Sequence, residues 1–431
     1  MSRYTKPCLI SFTAVACSLL WLLAQPSYSA TYSVVDLGSL GGTSSRALSI
    51  NSSGQIVGFA VTTNNQQHAA FWANSGSPAT DLATLGGTSS DAQGINDSGL
   101  IIGDAYTSGD ADDVASVWTN ASSGAVALGS LGGMGGAAQG INGSGQIVGL
   151  AYTTNDDEHA AFWASRTSPA VDLGTLGGTF SQALCINTSG QIVGDGTTTS
   201  NAADHAIFWA NSSSLPIDLG SLGGTYSGAL GINDSGQIVG YAYTSGNAAY
   251  HAVVWTNSSS PVIDLGTLGG TFGQAFGVNG SGQIVGTAGT SNGISHAALW
   301  TNISSLAVDL NSLVDTNTGW VLRQANAIND SGEIVGYGTI GGHNHAFALV
   351  PTTLPISPPK YVAVWITSTN IVLAFPSLSN AFYDVQSKTD LTSGAWSTIV
   401  SNITGTGGAV TNIDIGGATV PKRFYRVGVH S

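Results

Sequence analysis

Gly231-Ile232-Asn233-Asp234-Ser235-Gly236-Gln237-Ile238-Val239-Gly240 is the stretch whose reading decides the fold. Two short apolar runs flank an Asn-Asp-Ser-Gly turn. In such a turn the Asn side chain caps the reversal and Gly takes the positive-φ position. Its Asn recurs as Asn51, Asn96, Asn142, Asn187, Asn233, Asn279 and Asn329, at intervals of 45, 46, 45, 46, 46 and 50 residues. Seven copies of a unit this long fall close to the range of propeller blades.

Outward from the turn, each unit reads as four short strands. Strand a ends at the Ile-Asn before the turn and strand b begins at the Gln-Ile-Val-Gly after it. A polar loop leads to strand c, as in His251-Ala252-Val253-Val254-Trp255, and a Ser/Asn/Pro turn to strand d, as in Val262-Ile263-Asp264-Leu265-Gly266. These are apolar runs more than strict alternations, which suits sheets covered on both faces. Seven d strands are marked by Asp36, Asp81, Ala127, Asp172, Asp218, Asp264 and Asp309. The first, Tyr32–Gly38, precedes every a–b–c set, and the last set ends at strand c, His345–Leu349, with no d strand after it. Each orphan completes the other. A ring closed by its own N-terminal strand needs that offset and leaves no raw edge. An open β-solenoid does not need it. The expected fold is all-β: a seven-bladed β-propeller closed by the N-terminal strand, followed by a small β-sandwich.

The units Asp172–Thr179, Gly231-Ile232-Asn233, Gly236–Gly240 and His159-Ala160-Ala161-Phe162-Trp163 resemble the HAF family of bacterial extracellular repeats. The resemblance covers about three quarters of the chain and implies an exported repeat protein without an established catalytic activity. Local departures are Val114 in place of the His that opens strand c, Ala127 in place of the d-strand Asp, and a longer last linker carrying Trp320.

Of the 431 residues, 59 are Gly and 8 % are charged, against about 25 % in ordinary domains. Residues 1–30 have the layout of a signal peptide: Arg3 and Lys6, an apolar run, Pro26, then Ser27-Tyr28-Ser29-Ala30. The implied location is secreted or on the surface of a bacterium, with no transmembrane span in the mature chain and Cys185 its only cysteine. The propeller is assigned to 31–350. A linker at 351–359 holds Pro351, Pro355, Pro358 and Pro359, and residues 360–431 hold six candidate strands of a sandwich similar to fibronectin-like modules. Residues 31–354 carry 21 acids against Arg46, Arg166 and Arg323. That balance excludes nucleic acid as a partner, since phosphate binding needs clustered bases.

Six histidines open strand c: His68, His159, His205, His251, His296 and His345. They sit one per blade, so the expectation is a local hydrogen bond to the d-strand Asp, not a metal centre. The paired loss at Val114 and Ala127 supports that partnership. The strand-c tryptophans are expected to be core wedges.

Functional residues are sought where the repeat is broken, because the structure does not demand them there. The b–c and d–a loops share one propeller face. Phe180, Tyr226 and Phe272 follow Gly-Gly-Thr on d–a loops, and Trp320 lies in the next, longer one. These four are the candidate ligand-binding residues, since aromatic faces suit sugar rings. The loop acids Asp110, Asp112, Asp113, Asp156, Asp157 and Glu158 are a candidate cation site. No cofactor is called for, with calcium the one ion those acids would take. The plainer alternative is that the aromatics fill blade gaps and the acids keep the surface solvated.

The resulting expectation is an exported, non-catalytic binding or scaffold protein whose partner is a cell-surface glycan or protein. The rival is a polysaccharide-acting enzyme. No Gly-x-Ser-x-Gly, His-Glu-x-x-His or phosphate loop is present. Asp104 and Asp195 of strand b nonetheless leave room for an Asp-based hydrolase or lyase. A purely structural surface protein is the third reading.

Overall fold

The computed structural model describes Arg3–Tyr4, residues 32–352, and beyond them 363–367, 369–377, 382–389, 396–404, 409–415 and 424–430. Most of the leader reading (1–30) and linker residues 353–359 therefore lie outside the described residues.

Each turn folds around its asparagine. Asn51 Oδ1 accepts the N–H groups of Ser53 and Gln55 at 3.1 and 2.9 Å. Gly54 follows at φ +78°, which an L side chain resists. The same Asn51 gives its Nδ2 to the carbonyl of Asn96, one blade on, at 3.1 Å. Asn96 does so to Asn142, Asn142 to Asn187, Asn187 to Asn233, Asn233 to Asn279 and Asn279 to Asn329. Asn329 returns to Asn51 at 3.3 Å. One buried side chain thus stabilises its own turn and ties neighbouring blades, and the circuit closes. The glycine of Ile-Val-Gly has a different cause. A Cβ at Gly58 would run into the Arg46 carbonyl oxygen of the adjoining strand, and the equivalent glycines are as tightly placed.

Tyr32–Pro351 form one compact unit of seven four-stranded antiparallel blades. Blade 1 is Gly41–Ile50, Ile56–Thr62, Gln67–Trp72 and Thr80–Asp81. Blade 2 starts at Gly86, blade 3 at Gly132, blade 4 at Gly177, blade 5 at Gly223 and blade 6 at Gly269. Blade 7 combines Val321–Ile328, Ile334–Ile340 and His343–Pro351 with Tyr32–Asp36, whose register runs from Tyr32 opposite Pro351 to Asp36 opposite Phe347. The N-terminal strand closes the ring as the offset requires. Pro351, counted with the linker on sequence, is the last residue of a blade-7 strand.

The core lies between blades. Val57, Ala69 and Phe71 of blade 1 pack on Ile101, Ala105 and Trp118 of blade 2. Similar clusters fill each gap, including that of blade 7 (Val335, Ala346, Ala348) against blade 1 (Ile56, Ala60, Trp72). The six strand-c tryptophans are fully buried. Five donate their indole N–H backwards to the preceding blade, as Trp72 does to Leu37 O at 2.7 Å and Trp255 to Leu219 O at 2.9 Å. A buried N–H that finds a partner costs little, so the wedge is also a clasp.

The second unit holds two sheets. Ala363–Thr367, Asn370–Pro376 and Ala409–Asp414 form one, and Phe382–Lys388, Ser397–Thr404 and Phe424–His430 with Arg3–Tyr4 form the other. Ile371, Leu373 and Phe375 pack on Tyr383, Val385, Tyr425 and Val427, which makes a small β-sandwich. Among the described residues no helix is long and apolar enough to cross a membrane.

Candidate functional site

The histidines pair with the d-strand aspartates. His68 Nδ1 lies 2.8 Å from Asp81, His159 2.8 Å from Asp172, His205 2.8 Å from Asp218 and His251 2.8 Å from Asp264. His296 lies 2.6 Å from Asp309, and His345 2.9 Å from Asp36 across the ring closure. The other oxygen of Asp172 accepts Gly174 N–H at 2.7 Å, so the pair also starts the d–a connection. Blade 2, with Val114 and Ala127, lacks both partners together. The pairs are structural. The hydrogen bond to Asp218 is the main cause of the raised His205 pKa, against the effect of burial. Burial opposes ionised Asp218, but the hydrogen bonds from His205 and Gly220 prevail and lower its pKa. A group with a raised folded-state pKa stabilises fully below its unfolded value, about 6.5 for His, and loses that effect as pH rises through the folded value. His205→Ala is therefore expected to lower Tm by about 1–3 °C near pH 5.5, and by less near pH 8.5. Equal losses at both pH values would contradict this ion pair.

Three of the four repeat-breaking aromatics, Phe180, Tyr226 and Phe272, lie inside strand a, while Trp320 lies on the connection just before Val321–Ile328. Tyr226 is in Gly223–Ile232 and Phe272 in Gly269–Val278. Both occupy a bulge where the register with strand b jumps, from Gly223 to Ser227 and from Gly269 to Gly273. The bulge frees the side chain from the ladder and aims strand-a residues at the b–c/d–a face. At the same place blade crosses to blade: Asp204 pairs with Tyr226, and Tyr250 with Phe272, in parallel bridges.

Here rings gather. Tyr226 meets Tyr243 edge-on at 5.4 Å, and Tyr243 lies 5.2 Å from Tyr250. Tyr241 stands 6.4 Å from Tyr243 and 6.3 Å from Tyr250, and Tyr250 is 6.0 Å from Phe272. Tyr226, Tyr241, Tyr243, Tyr250 and Gln274 line a cleft of about 270 Å³. Tyr226 is 48 % exposed, a large apolar ring held open to solvent. Carboxylates stand close by on blade 4. Asp195 is 4 % exposed and receives Gln182 Nε2 at 3.1 Å. Burial, then the charge of Asp204, raises its pKa to about 7, while Gln182 opposes the shift. Burial also raises Asp204, against His205 and the Gly196 backbone. The Tyr241 hydroxyl is pushed up by burial and by both carboxylates, so it stays a proton donor.

The other candidates separate. Phe180 holds the blade-4 position equivalent to Tyr226, without a ring partner among the described residues. Trp320 is a packing residue: it meets Phe347 edge-on at 6.1 Å and packs on the blade 6–7 core. The acids do not form an ion cage. Among the described residues no three His, Cys, Asp or Glu side chains come together to hold a metal. Asp110 instead takes the Thr88 N–H and hydroxyl at 2.6 and 2.8 Å, a tie made by Asn201 and Asn247 in blades 4 and 5. Glu158 accepts the Tyr152 hydroxyl. Asp156 sits in a turn at φ +63° and Asp157 continues it through its N–H to Thr153 Oγ1. The Asp112 carbonyl accepts the Thr107 N–H at 2.9 Å. Asp113 has a buried, unpartnered Oδ1 beside a second acidic group, Asp104 and Asp91. Burial, Asp113 and Asp91 lift Asp104 to about 8, with Gln93 opposing. Cys185 is half-buried, and burial keeps it a thiol.

Tyr241, Tyr243 and Tyr250 are not among the residues the sequence singled out, since tyrosines in short apolar strands read as packing. The signal was in the strands. The residue after Ile-Val-Gly reads Phe59, Asp104, Leu150, Asp195, Tyr241, Thr287 and Tyr337 around the ring. A position so variable inside an otherwise repeated strand does not serve the common packing. At blades 7 and 1 this layer is filled by Arg46, stacked 4.0 Å over Tyr337 and 5.9 Å from Phe59. At blade 5 it is left open.

No family model and no curated protein matches the sequence. Solved structures do. An acylaminoacyl peptidase of Pyrococcus horikoshii is 8 % identical, over 80 % of this chain and 51 % of its own, with a TM-score of 0.35. A prolyl endopeptidase is 8 % identical over 90 % and 50 %, with a TM-score of 0.34. A Trypanosoma rangeli sialidase solved with sialic acid is 8 % identical over 94 % and 95 %, with a TM-score of 0.31. The chain spans about half the length of the first two.

Proposed function

We propose that this is an exported, non-catalytic binding protein of the cell surface or extracellular space, and that it recognises glycans through the aromatic cleft of blade 5. The observation that carries the reading is the convergence of Tyr226, Tyr241, Tyr243 and Tyr250 on one open cleft. Aromatic faces give a sugar ring apolar contact, and Gln274, the tyrosine hydroxyls and the nearby carboxylates supply directed polar partners. Export is supported by the leader-like first thirty residues and by the resemblance to HAF repeats. Cleavage after Ala30 would remove the two-residue pairing of Arg3–Tyr4 with the last strand and leave the propeller intact.

Tyr243 touches three of the other rings, so Tyr243→Ala is the informative variant. On a glycan array with the full chain, it is expected to weaken binding about 5–30-fold, a loss of about 1–2 kcal/mol. Unchanged glycan binding in Tyr243→Ala would reject the cleft as the site. The same polysaccharides screened for cleavage test the rival reading, which Asp195 favours because it holds a proton near neutral pH beside a second carboxyl. Turnover abolished by Asp195→Asn would make the protein an enzyme.

A further inference from the structure

Charge narrows the class of sugar. Four tyrosine rings line the cleft, and two carboxylates of the neighbouring blade 4, outside that lining, help to raise the Tyr241 hydroxyl pKa. Asp204 is joined through its backbone to Tyr226, and its Oδ1 is buried without a hydrogen-bond partner. Among the described residues no arginine or lysine lines the cleft. Arg46 is stacked on Tyr337, Arg323 reaches toward Ser295 O at 3.5 Å, and Arg166 belongs to the c–d turn of blade 3 on the opposite face. Resting on the glycan reading above, we propose that the group entering the cleft is a protonated amine carried on a sugar, so that the ligand is a glycan with free amino groups.

Three physical arguments converge on this class. A cation is attracted to the faces of aromatic rings, most where water is excluded. An ammonium in the cleft is drawn toward the Asp204 carboxylate, whose backbone adjoins Tyr226, and its three N–H donors suit the tyrosine hydroxyls and the Gln274 amide oxygen that line the cleft. A glycan bearing carboxylates or sulfates would find no arginine or lysine lining the cleft to offset its charge. N-acetylation removes both the charge and two of the donors.

Calorimetry on the full chain near pH 6, where a sugar amine is protonated, would compare a glucosamine hexamer, its N-acetylated counterpart and cellohexaose. The amino hexamer is expected to bind at least about tenfold more tightly than either. Asp204→Asn, checked for an unchanged Tm, is expected to bring the three close together by weakening the amino hexamer alone. Equal binding of all three hexamers by the native protein overturns the proposal and leaves the glycan reading standing. Silence of every glycan in this panel and on the array overturns the glycan reading, and the proposal with it.

Discussion

A chain that begins at Leu37, without the closing strand, is expected to lose most of the propeller's stability, at least about 4–5 kcal/mol out of a total on the order of 5–15. Several losses coincide. The five register pairs between Tyr32–Asp36 and His343–Pro351 disappear, and with them the outer edge of blade 7 is laid open. Tyr32, 6 % exposed, leaves the cluster that holds Phe347 and Leu349. His345 loses Asp36, and Leu37, whose carbonyl receives Trp72, loses its anchor. The bond from Trp72 to Leu37 ties blade 7 to blade 1, so one deletion acts within blade 7 and on its contact with blade 1. Urea midpoints of the chain with and without residues 32–36 would measure the effect. Near-identical midpoints would mean that the seven blades hold as an open arc. A synthetic Tyr32–Gly38 peptide is expected to restore part of the loss, because the groove it leaves is already formed by strand c of blade 7.

Asp104→Asn and Asp195→Asn are expected to stabilise the protein at alkaline pH and to do nothing near pH 4. Both carboxyls are buried, at 9 % and 4 % exposure, with only a glutamine amide each to satisfy them. Burial first, then Asp113 and Asp91, raises Asp104 to about 8, and burial first, then Asp204, raises Asp195 to about 7. Their unfolded-state values are about 3.9. Between those limits the folded chain binds more protons than the unfolded one, so stability is full below about pH 4 and falls as pH rises to about 8. Asparagine is neutral throughout and avoids the ionisation cost. At about 1.4 kcal/mol per pKa unit the full ionisation cost near pH 9 is about 4–6 kcal/mol, and because water and side chains relax around the charge each substitution should gain roughly half of it, about 2–3 kcal/mol. Urea titrations near pH 4 and pH 9 decide it. A gain of the same size at both would assign the effect to packing and not to the buried charge.

Much of the architecture was legible in the chain because a repeat multiplies weak signals. One Asn-Asp-Ser-Gly turn is a poor predictor, but seven at a nearly fixed interval define the unit, and the leading d strand with the trailing c strand defines the closure. The His–Asp pairs were legible for a related reason. His and Asp vanish together in blade 2, and a hydrogen-bonded pair loses its use when either partner goes. The six strands of the second unit were also found in place, within a few residues at their ends.

The site was legible only in part. Of the four candidate aromatics only Tyr226 lines the cleft, and Tyr241, Tyr243 and Tyr250, which complete it, sit in strands where packing is expected. Trp320 and Asp110 break the repeat as plainly as Tyr226 does, but one fills a core and the other ties a loop. Departure from a repeat shows that a residue is released from the common role without saying what it does next.

Sequence by itself determined the number of blades, their order, the strand that closes the ring and the asparagine that turns each hairpin, because these depend on local turn chemistry and on periodicity along the chain. Tertiary structure alone decided that Asp204 meets Tyr226, that Tyr250 meets Phe272, and that four tyrosines share one open cleft beside two raised carboxyls. Those contacts cross from blade to blade over bulges that locally shift the register. A displacement of one residue there would turn each ring to the other face. No interval in the sequence records that displacement.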